Sequence, residues 1–344
     1  MTVVNGRVAG SITVAAQTLK AGELVGFPTE TVYGLGADAG NDAAVAKIFA
    51  AKGRPSEHPL IVHVDDTANG MNGVAFFAHH VPPAAQALMQ AFWPGPLTLI
   101  LPRRGEVGRA AAGGQDSIGL RCPAHPVAQA LLHACREPGV MGLAAPSANQ
   151  FGRVSPTTAA HVQGEFGPGL LVLDGGPCDV GIESTIVDCT RHTPVLLRPG
   201  AITIPALEQA CGQRVAGLLD AVADDAPAPR ASGTLVAHYA PKARLRLMAP
   251  GALQTALDLL GDDVKRSGSG PVIATYARTV LRSRSSGVVS RRMPDDAAST
   301  AQQLFAVLRD FDDQGVKLIW VETPPDDVAW DGVRDRLQRA AAAG

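Results

Sequence analysis

Basic, hydroxyl and amide side chains cluster at three predicted turns in the N-terminal part of the chain. Lys52-Gly53-Arg54 follows a predicted helix, Thr29 and Thr31 follow a predicted strand, and Ser147-Ala148-Asn149 follows a later strand. An Arg side chain offers a planar fork to two oxygens of a phosphate or carboxylate, and a Lys side chain offers a compact charge. Together these residue types predict a site for a polyanionic nucleotide, although the sequence contains no P-loop.

Each of these turns also has a plain structural explanation. Cations at the C-terminal end of a helix interact favourably with the helix dipole, so Lys52 and Arg54 need no ligand to explain them. Ser147 and Asn149 suit a turn in which they bond their own backbone. Taken singly, neither group decides between a ligand role and a local structural role.

Charged residues also lie at or near the ends of predicted strands, namely Arg121, Glu183 and Arg198. Such segments are largely buried, and a buried charge needs a partner or a ligand. His63 lies in a predicted strand and also fits a core histidine. His58 and His63 lack the spacing of metal ligands with Cys or carboxylates, so no metal site is predicted.

A glycine motif, Gly34-Leu35-Gly36-Ala37-Asp38-Ala39, matches the GxGxxA form of the dinucleotide-binding fingerprint. That fingerprint needs its glycines in the turn from a strand to a helix, whereas Pro28 interrupts here and the next helix starts only near Asp42. We therefore interpret Gly34 and Gly36 as glycines that permit tight backbone turns. No GxSxG, HExxH or kinase-type set occurs, so no covalent intermediate is expected.

The whole-chain composition limits the class of protein. A length of 344 residues favours two domains, and the formal net charge of −2 gives no bulk electrostatic attraction for nucleic acid. Five scattered cysteines without a CxxC pair indicate neither a disulfide framework nor a structural zinc site. Because neither a signal peptide nor an apolar run of spanning length is found, we expect a cytoplasmic protein without membrane contact.

Helical and extended patterns alternate along the chain, which predicts an α/β fold with a mixed sheet. Ser11 is the predicted N-cap of a first helix, and Asn41 or Asp42 and then Gly53 bound a second. A stretch rich in Pro, Ala and acidic residues begins at Val222. We predict a first domain over residues 1–221, a linker over 222–241 and a smaller α/β domain over 242–344, with a flexible loop at Lys265–Gly270.

Nine short motifs occur in an order that resembles one family. They are PTETVYGLG, KGRP, HPLIVHV, GLRCP, APSAN, GRVSPT, ESTIVD, LRPG and HYAP. The chain is similar to the threonylcarbamoyl-AMP synthases, the YrdC-domain proteins, and HYAP with the C-terminal segment marks their longer two-domain form. The resemblance implies an open, twisted mixed α/β sheet of the YrdC-like type with a second, smaller Rossmann-like α/β domain.

The family's activity implies the substrates and the partner. L-threonine, bicarbonate and ATP would condense to L-threonylcarbamoyladenylate and pyrophosphate, and Mg2+ would arrive with ATP without dedicated protein ligands. A tRNA threonylcarbamoyl-transferase complex would receive the product and modify the adenosine beside the anticodon. A weak direct contact with tRNA stays open.

The resemblance also implies residue roles. Lys52, Arg54, Ser147 and Asn149 match the catalytic tetrad KxR…SxN of the family. The implied threonine-binding set is Thr31, His63, Arg121, Ala145 and Ser184, and the implied ATP-binding set is Arg54, His58, Ser117, Ser147, Ser155, Arg198 and Tyr239. Because Tyr239 follows a flexible stretch, we expect Ser232–Tyr239 to fold over the bound nucleotide as a lid.

Two other functions compete with this one. A carbamoyl-adenylate former of the hydrogenase-maturation type would carry acylphosphatase and zinc-finger segments, which the sequence lacks. A non-catalytic accessory protein that binds tRNA or double-stranded RNA would use the concave surface of the same fold, and the near-neutral net charge weakens that alternative.

Overall fold

The computed structural model describes residues 2–66, 71–217, 229–260 and 272–343. The chain divides into two compact units, the first formed by Met1–Phe151 with Ser155–Thr234 and the second by Gly152–Val154 with Leu235–Gly344. Of the predicted linker, residues 222–228 lie outside the described ranges, as does the predicted loop Lys265–Gly270. The predicted domain limits at 221 and 242 stay predictions.

Helices and strands alternate through the first unit. Its helices are α1 (Ala9–Lys20), α2 (Asp42–Lys52), α3 (Met71–Phe77), α4 (Pro83–Phe92), α5 (Pro126–Arg136), α6 (Ala159–Phe166) and α7 (Ile204–Cys211). Its strands are β1 (Val3–Asn5), β2 (Val25–Phe27), β3 (Gly34–Asp38), β4 (Ile61–His63), β5 (Leu97–Pro102), β6 (Ser117–Arg121), β7 (Leu143–Ala144), β8 (Leu171–Asp174), β9 (Thr185–Asp188) and β10 (Val195–Arg198).

These strands form one mixed sheet in the order β1-β8-β2-β3-β7-β4-β6-β5-β9-β10. Strand β6 is parallel to β4 and antiparallel to β5, β5 is parallel to β9, and β9 is antiparallel to β10. The C-terminal ends of β4, β6 and β10 therefore meet the N-terminal ends of β5 and β9 at one edge of the sheet. The predicted mixed α/β fold is confirmed.

Local signals fix helix α2 at both ends. The side-chain oxygen of Asn41 accepts hydrogen bonds from the N–H groups of Ala43 and Ala44, and Gly53 ends the helix at φ 61°. An Asx N-cap and a left-handed glycine C-cap are the two commonest ways to satisfy helix ends. Both predictions for this helix are confirmed, and they place Lys52 and Arg54 on either side of the C-cap.

The predicted start of α1 is wrong. The helix begins at Ala9 with Val8 in the N-cap position, so Ser11 lies inside the first turn. The chain has already turned at Asn5, whose side-chain oxygen accepts a hydrogen bond from the N–H of Arg7 at 2.9 Å. The buried face of α1 consists of Ile12, Ala15, Ala16 and Leu19.

The second unit is a smaller α/β fold. Its elements are β11 (Arg244–Met248), α8 (Pro250–Leu260), β12 (Ile273–Ala277), β13 (Val288–Arg292), α9 (Ala297–Asp313), β14 (Leu318–Glu322) and α10 (Asp331–Ala341). The four strands are all parallel, in the order β11-β14-β12-β13, which is the Rossmann-like arrangement that was predicted. Among the described residues, no helix combines the length and the apolar character that a membrane crossing requires.

The glycine motif at Gly34–Asp38 forms strand β3 and not the tight turn that the sequence suggested. Strand β3 pairs antiparallel with β2, and Gly36 faces Val25 in the register. A Cβ on Gly36 would lie 2.8 Å from Cε1 of Phe27, whose ring is fully buried. The glycine therefore serves close packing inside a sheet, a role that glycine also has in strands.

We predict that Gly36→Ala destabilises the protein by about 1–3 kcal/mol, because the added methyl forces the buried Phe27 ring to move. Gly10→Ala is the control, since nothing lies within 4 Å of a Cβ at that exposed position of α1. Urea denaturation of both variants measures the difference. Equal midpoints for the two variants would contradict the packing role of Gly36.

Candidate active site on one face of the first sheet

Alternate side chains of the central strands share one face, because side chains in a strand alternate between faces. On β6 these are Ser117, Gly119 and Arg121, and the register places Ile61 beside Gly119 and His63 beside Arg121. In the same way Thr98 and Ile100 of β5 and Ile186 of β9 lie on this face. The intervening residues, such as Val62 and Leu120, belong to the main apolar core on the opposite face.

A small pocket lies over this face. Its floor includes Ile61, Ser117 and Gly119, and the segment Arg230–Ser232 forms one wall. The N–H of Arg230 donates to the side-chain oxygen of Gln115 at 2.8 Å, and the amide nitrogen of that glutamine donates to the carbonyl of Arg230 at 3.2 Å. The end of the first unit is thereby fixed against the sheet beside the pocket.

Arg121 lies at the edge where β6 ends and is 3% exposed. Its Nη1 donates to Oγ1 of Thr31 at 2.8 Å, its Nη2 lies 2.7 Å from Oε1 of Glu30, and its Nε donates to the carbonyl of Gly95 at 3.3 Å. Both acidic and hydroxyl partners come from the turn after β2. The guanidinium is therefore held in one orientation at the end of the pocket face.

The hydroxyls of Thr29 and Thr31 form an ordered chain. The Thr29 hydroxyl donates to the carbonyl of Val32 at 2.7 Å, so its oxygen can only accept from the Thr31 hydroxyl, 2.9 Å away. The Thr31 oxygen in turn accepts from Arg121. This chain fixes Thr31, a predicted threonine-binding residue, against Arg121.

His63 stands beside Arg121 in the neighbouring parallel strand and is 4% exposed. Burial, together with the positive charge of Arg121, lowers the pKa of His63 to about 3. Its imidazole is consequently neutral at physiological pH. A neutral ring can accept or donate a hydrogen bond to a substrate, but it adds no positive charge to the site.

Arg198 connects the two predicted substrate-binding sets. Its Nη2 donates to the hydroxyl oxygen of Ser184 at 3.1 Å and its Nε donates to the carbonyl of Ser184 at 3.0 Å. The Ser184 hydroxyl lies 2.7 Å from the hydroxyl of Thr98. A residue implied to bind threonine therefore touches one implied to bind ATP.

Arg54 and Arg198 converge on Ser232. Nη1 of Arg198 donates to the carbonyl of Ser232 at 2.8 Å, and Nη2 of Arg54 lies 3.4 Å from the Ser232 hydroxyl. Arg54 also donates to the carbonyl of Pro59 at 3.0 Å, and its guanidinium lies 5.6 Å from the ring centre of Phe151. Two guanidinium groups that contact the same neutral residue lie close enough together to bind one multiply charged anion.

His58 and Phe151 lie beside this arginine pair, with ring centres 5.5 Å apart. Partial burial and the charge of Arg54 lower the pKa of His58. The predicted ATP-binding residue His58 therefore lies next to Arg54.

Lys52 holds the turn that carries Ser147 and Asn149. Its Nζ donates to the carbonyl oxygens of both residues, at 2.7 Å for Ser147. The side chain is 2% exposed, and burial, with the nearby charge of Arg54, holds its pKa well below the usual range. The members of the predicted tetrad are thus brought together, with Lys52 bound to backbone oxygens of the turn.

The remaining predicted residues of the first unit lie close by. Ser155 is fully buried and its hydroxyl donates to Oε1 of Glu183, the residue before Ser184. The N–H of Ala145 donates to the carbonyl of Ile61 at 2.9 Å. Their roles in binding ATP and threonine stay predictions.

Tyr239 belongs to the second unit. It is 1% exposed with φ 61°, its ring stacks on Phe305 at 5.5 Å, and the Arg336 guanidinium lies 5.2 Å from the ring centre. Its predicted contact with ATP, and the lid over Ser232–Tyr239, stay predictions.

Sequence reasoning did not assign a role to Glu30, Thr98 or Gly119. Glu30 lies between two threonines of the PTETVYGLG motif, and this position beside a predicted site residue is the sequence signal that could have identified it. Thr98 and Gly119 lie on the pocket face only because of the strand register, which local patterns do not reveal.

We predict that His63 does not take up a proton between pH 8 and pH 5, because its pKa in the folded protein is lowered to about 3. The unfolded chain protonates a histidine near pH 6.5, so the stability that neutral His63 contributes is lost as pH falls from that value towards 3. NMR titration of the imidazole nitrogens measures this directly. A midpoint near pH 6.5 assigned to His63 would contradict its burial beside Arg121.

Two family models together match nearly the whole chain. The Sua5–YciO–YrdC model, described as "Telomere recombination", matches residues 17–200. The model described as "Threonylcarbamoyl-AMP synthase, C-terminal domain" matches residues 202–342.

Similar proteins agree with these models. The threonylcarbamoyl-AMP synthase of Pyrococcus abyssi is 36% identical over 96% of this chain and 94% of the relative, and that of Bacillus subtilis is 38% identical over 96% and 92%. The crystal structure of P. abyssi Sua5 complexed with L-threonine matches with a TM-score of 0.85 and 32% identity, covering 99% of this chain and 97% of the other. The chain belongs to the threonylcarbamoyl-AMP synthase family, in the form that carries the C-terminal domain.

Proposed function

We propose that this enzyme forms L-threonylcarbamoyladenylate from L-threonine, bicarbonate and ATP with release of pyrophosphate. The observation that carries the proposal is the 3.1 Å contact between Arg198 and the Ser184 hydroxyl. Through it the implied threonine site and the implied ATP site share one boundary, as a reaction that joins the two substrates requires.

The threonine carboxylate would bind to Arg121. A guanidinium has five N–H groups, and the described hydrogen bonds of Arg121 use the one on Nε and one on Nη1, while Nη2 lies 2.7 Å from Oε1 of Glu30 as an ion pair. N–H groups on both Nη1 and Nη2 therefore remain for a carboxylate, which a guanidinium can bind with two of its N–H groups. The complex of P. abyssi Sua5 with L-threonine supports an amino-acid site in this fold.

ATP would lie along the pocket face. From Arg121 to Ser117 the strand rises by four residue steps, or roughly 13 Å, which is enough for the sugar and base of a nucleotide. Gly119 leaves the middle of this path without a side chain, and Arg54 and Arg198 offer guanidinium groups for the phosphates.

The chemistry follows from bringing these substrates together. The threonine amine, once deprotonated, adds to CO2 from bicarbonate and gives N-carboxythreonine. A carboxylate oxygen of this intermediate attacks the α-phosphorus of ATP, and the bond to the β-phosphate oxygen breaks to release pyrophosphate. Arg54 and Arg198 would stabilise the charge that develops on the phosphates, and much of the acceleration would come from alignment.

Mg2+ would enter with ATP. Within the described residues, no group of three or more His, Cys, Asp or Glu side chains could hold a metal ion. The pocket is lined by Arg230 and by the hydroxyls of Thr98, Ser117 and Ser232, and it has no carboxylate, so we assign the metal to the phosphates of ATP. It would supply additional neutralisation of phosphate charge.

The product would leave for tRNA modification. We propose that a tRNA threonylcarbamoyl-transferase complex in the cytoplasm takes the adenylate and modifies the adenosine beside the anticodon. A net charge of −2 offers tRNA no bulk attraction, so a direct contact would be weak and confined to a local patch.

The reaction is tested by pyrophosphate release from ATP and bicarbonate with L-threonine, with L-serine or with no amino acid. We expect release that requires both L-threonine and bicarbonate. Release indifferent to threonine would refute the proposed substrate. Binding of tRNA without any pyrophosphate release would instead favour a non-catalytic accessory protein.

We predict that Gly119→Val weakens ATP binding by about tenfold or more, because the methyl groups of the valine side chain occupy the path of the nucleotide. The fold should accept valine, since a Cβ would meet only Thr98 at 3.5 Å and Ile61 at 3.9 Å, and valine favours strands. Calorimetric titration with ATP gives the affinity and thermal unfolding gives the stability.

Two further variants serve as comparisons for Gly119→Val. Gly119→Ala should fall between the wild type and Gly119→Val, and Gly164→Ala in α6, where nothing lies within 4 Å, should bind ATP normally. Unchanged ATP affinity in a well-folded Gly119→Val protein would place the nucleotide elsewhere.

A further inference from the structure

We propose that Glu30 is a positioning residue that sets the orientation of Arg121 for the carboxylate of the amino-acid substrate. The inference rests on the proposed function, because it deepens the role of Arg121 in binding threonine. Glu30 itself would not touch the substrate and would act through the guanidinium.

Contacts of both its side chain and its backbone hold Glu30 in place. Its carboxylate is buried, with 6% exposure, and Oε2 accepts a hydrogen bond from the N–H of Ala124 at 3.1 Å. Its carbonyl accepts from the N–H of Val180 at 2.7 Å. The residue therefore joins the turn after β2 to the segment after β6 and to the loop before β9, and its side chain has little freedom to move.

The contact with Arg121 is the one ion pair among the three described contacts of this guanidinium. Oε1 of Glu30 lies 2.7 Å from Nη2, and both side chains are almost fully buried. All three partners place an oxygen against the guanidinium, and among the described contacts only Glu30 faces Nη2, so the acid fixes the guanidinium on that side. Glu30 therefore decides where the free N–H groups of Nη1 and Nη2 point.

The orientation that Glu30 gives to Arg121 and the negative charge of Glu30 affect threonine binding in opposite directions, so variants can separate the two effects. A carboxylate beside Arg121 opposes an incoming substrate carboxylate electrostatically, so its benefit must come from holding the fork in place. Glu30→Gln removes the charge and keeps an oxygen towards Arg121 at the same reach, at the loss of the hydrogen bond from Ala124. Glu30→Asp keeps the charge and withdraws the oxygens by one carbon.

If Glu30 orients Arg121, Glu30→Asp should weaken L-threonine binding by about tenfold or more, since small misplacements at a binding fork are costly. Glu30→Gln should stay within about threefold of the wild type, because its oxygen still faces Nη2 of Arg121. The measurement is calorimetric titration with L-threonine and with L-threoninol, which lacks the carboxylate. The preference for threonine over threoninol should fall in Glu30→Asp and persist in Glu30→Gln.

A matched control exists in the second unit. Glu322 is 2% exposed, lies 2.7 Å from Nη2 of Arg278 and accepts the N–H of Thr279 at 2.7 Å. Glu322→Asp therefore disturbs another ion pair with a buried carboxylate, and it should leave the threonine affinity and the threonine preference unchanged. In an Arg121→Gln background, Glu30→Asp and Glu30→Gln should also bind L-threonine equally.

The two ways of failing are distinct. If the wild type does not bind L-threonine, the proposed function fails. If the wild type binds L-threonine and Glu30→Asp retains its affinity and its preference over threoninol, or binds more tightly than Glu30→Gln, the positioning role is overturned while the proposed function stands.

Discussion

Burial of positive charge beside an open pocket is the constraint on which the first unit depends. Arg121, Arg198 and Lys52 are 3%, 2% and 2% exposed, although each belongs to an implied binding set or to the implied catalytic tetrad. Removing such ions from water costs several kcal/mol each unless oxygens replace the water. The loops that join the strands supply those oxygens, from the turn after β2 to the end of the unit at Ser232.

The mixed sheet brings the buried charged residues together in one site. Because the strand direction changes between β6 and β5 and again between β9 and β10, the ends of β4, β6 and β10 and the start of β9 share an edge. That edge gathers His63, Arg121, Ser184 and Arg198, while strand alternation carries the same face on to Ser117. An all-parallel sheet, as in the second unit, could not bring a residue preceding one strand next to residues that end others.

Local signals made part of this structure predictable. The ends of α2 could be predicted from Asn41 and Gly53. Pairing across the chain could not be read in this way, since Arg121 and Thr31 are 90 residues apart. Strand β3 was missed because its glycines resemble a turn locally, and only the packing against Phe27 explains them.

The central claim is that threonine and ATP occupy two ends of one sheet face, and a crystal structure with L-threonine and a non-hydrolysable ATP analogue tests it most directly. The account predicts the threonine carboxylate on Arg121, the phosphates near Arg54 and Arg198, and the nucleotide over Gly119. A nucleotide bound away from this face, or a threonine carboxylate that does not contact Arg121, would contradict it.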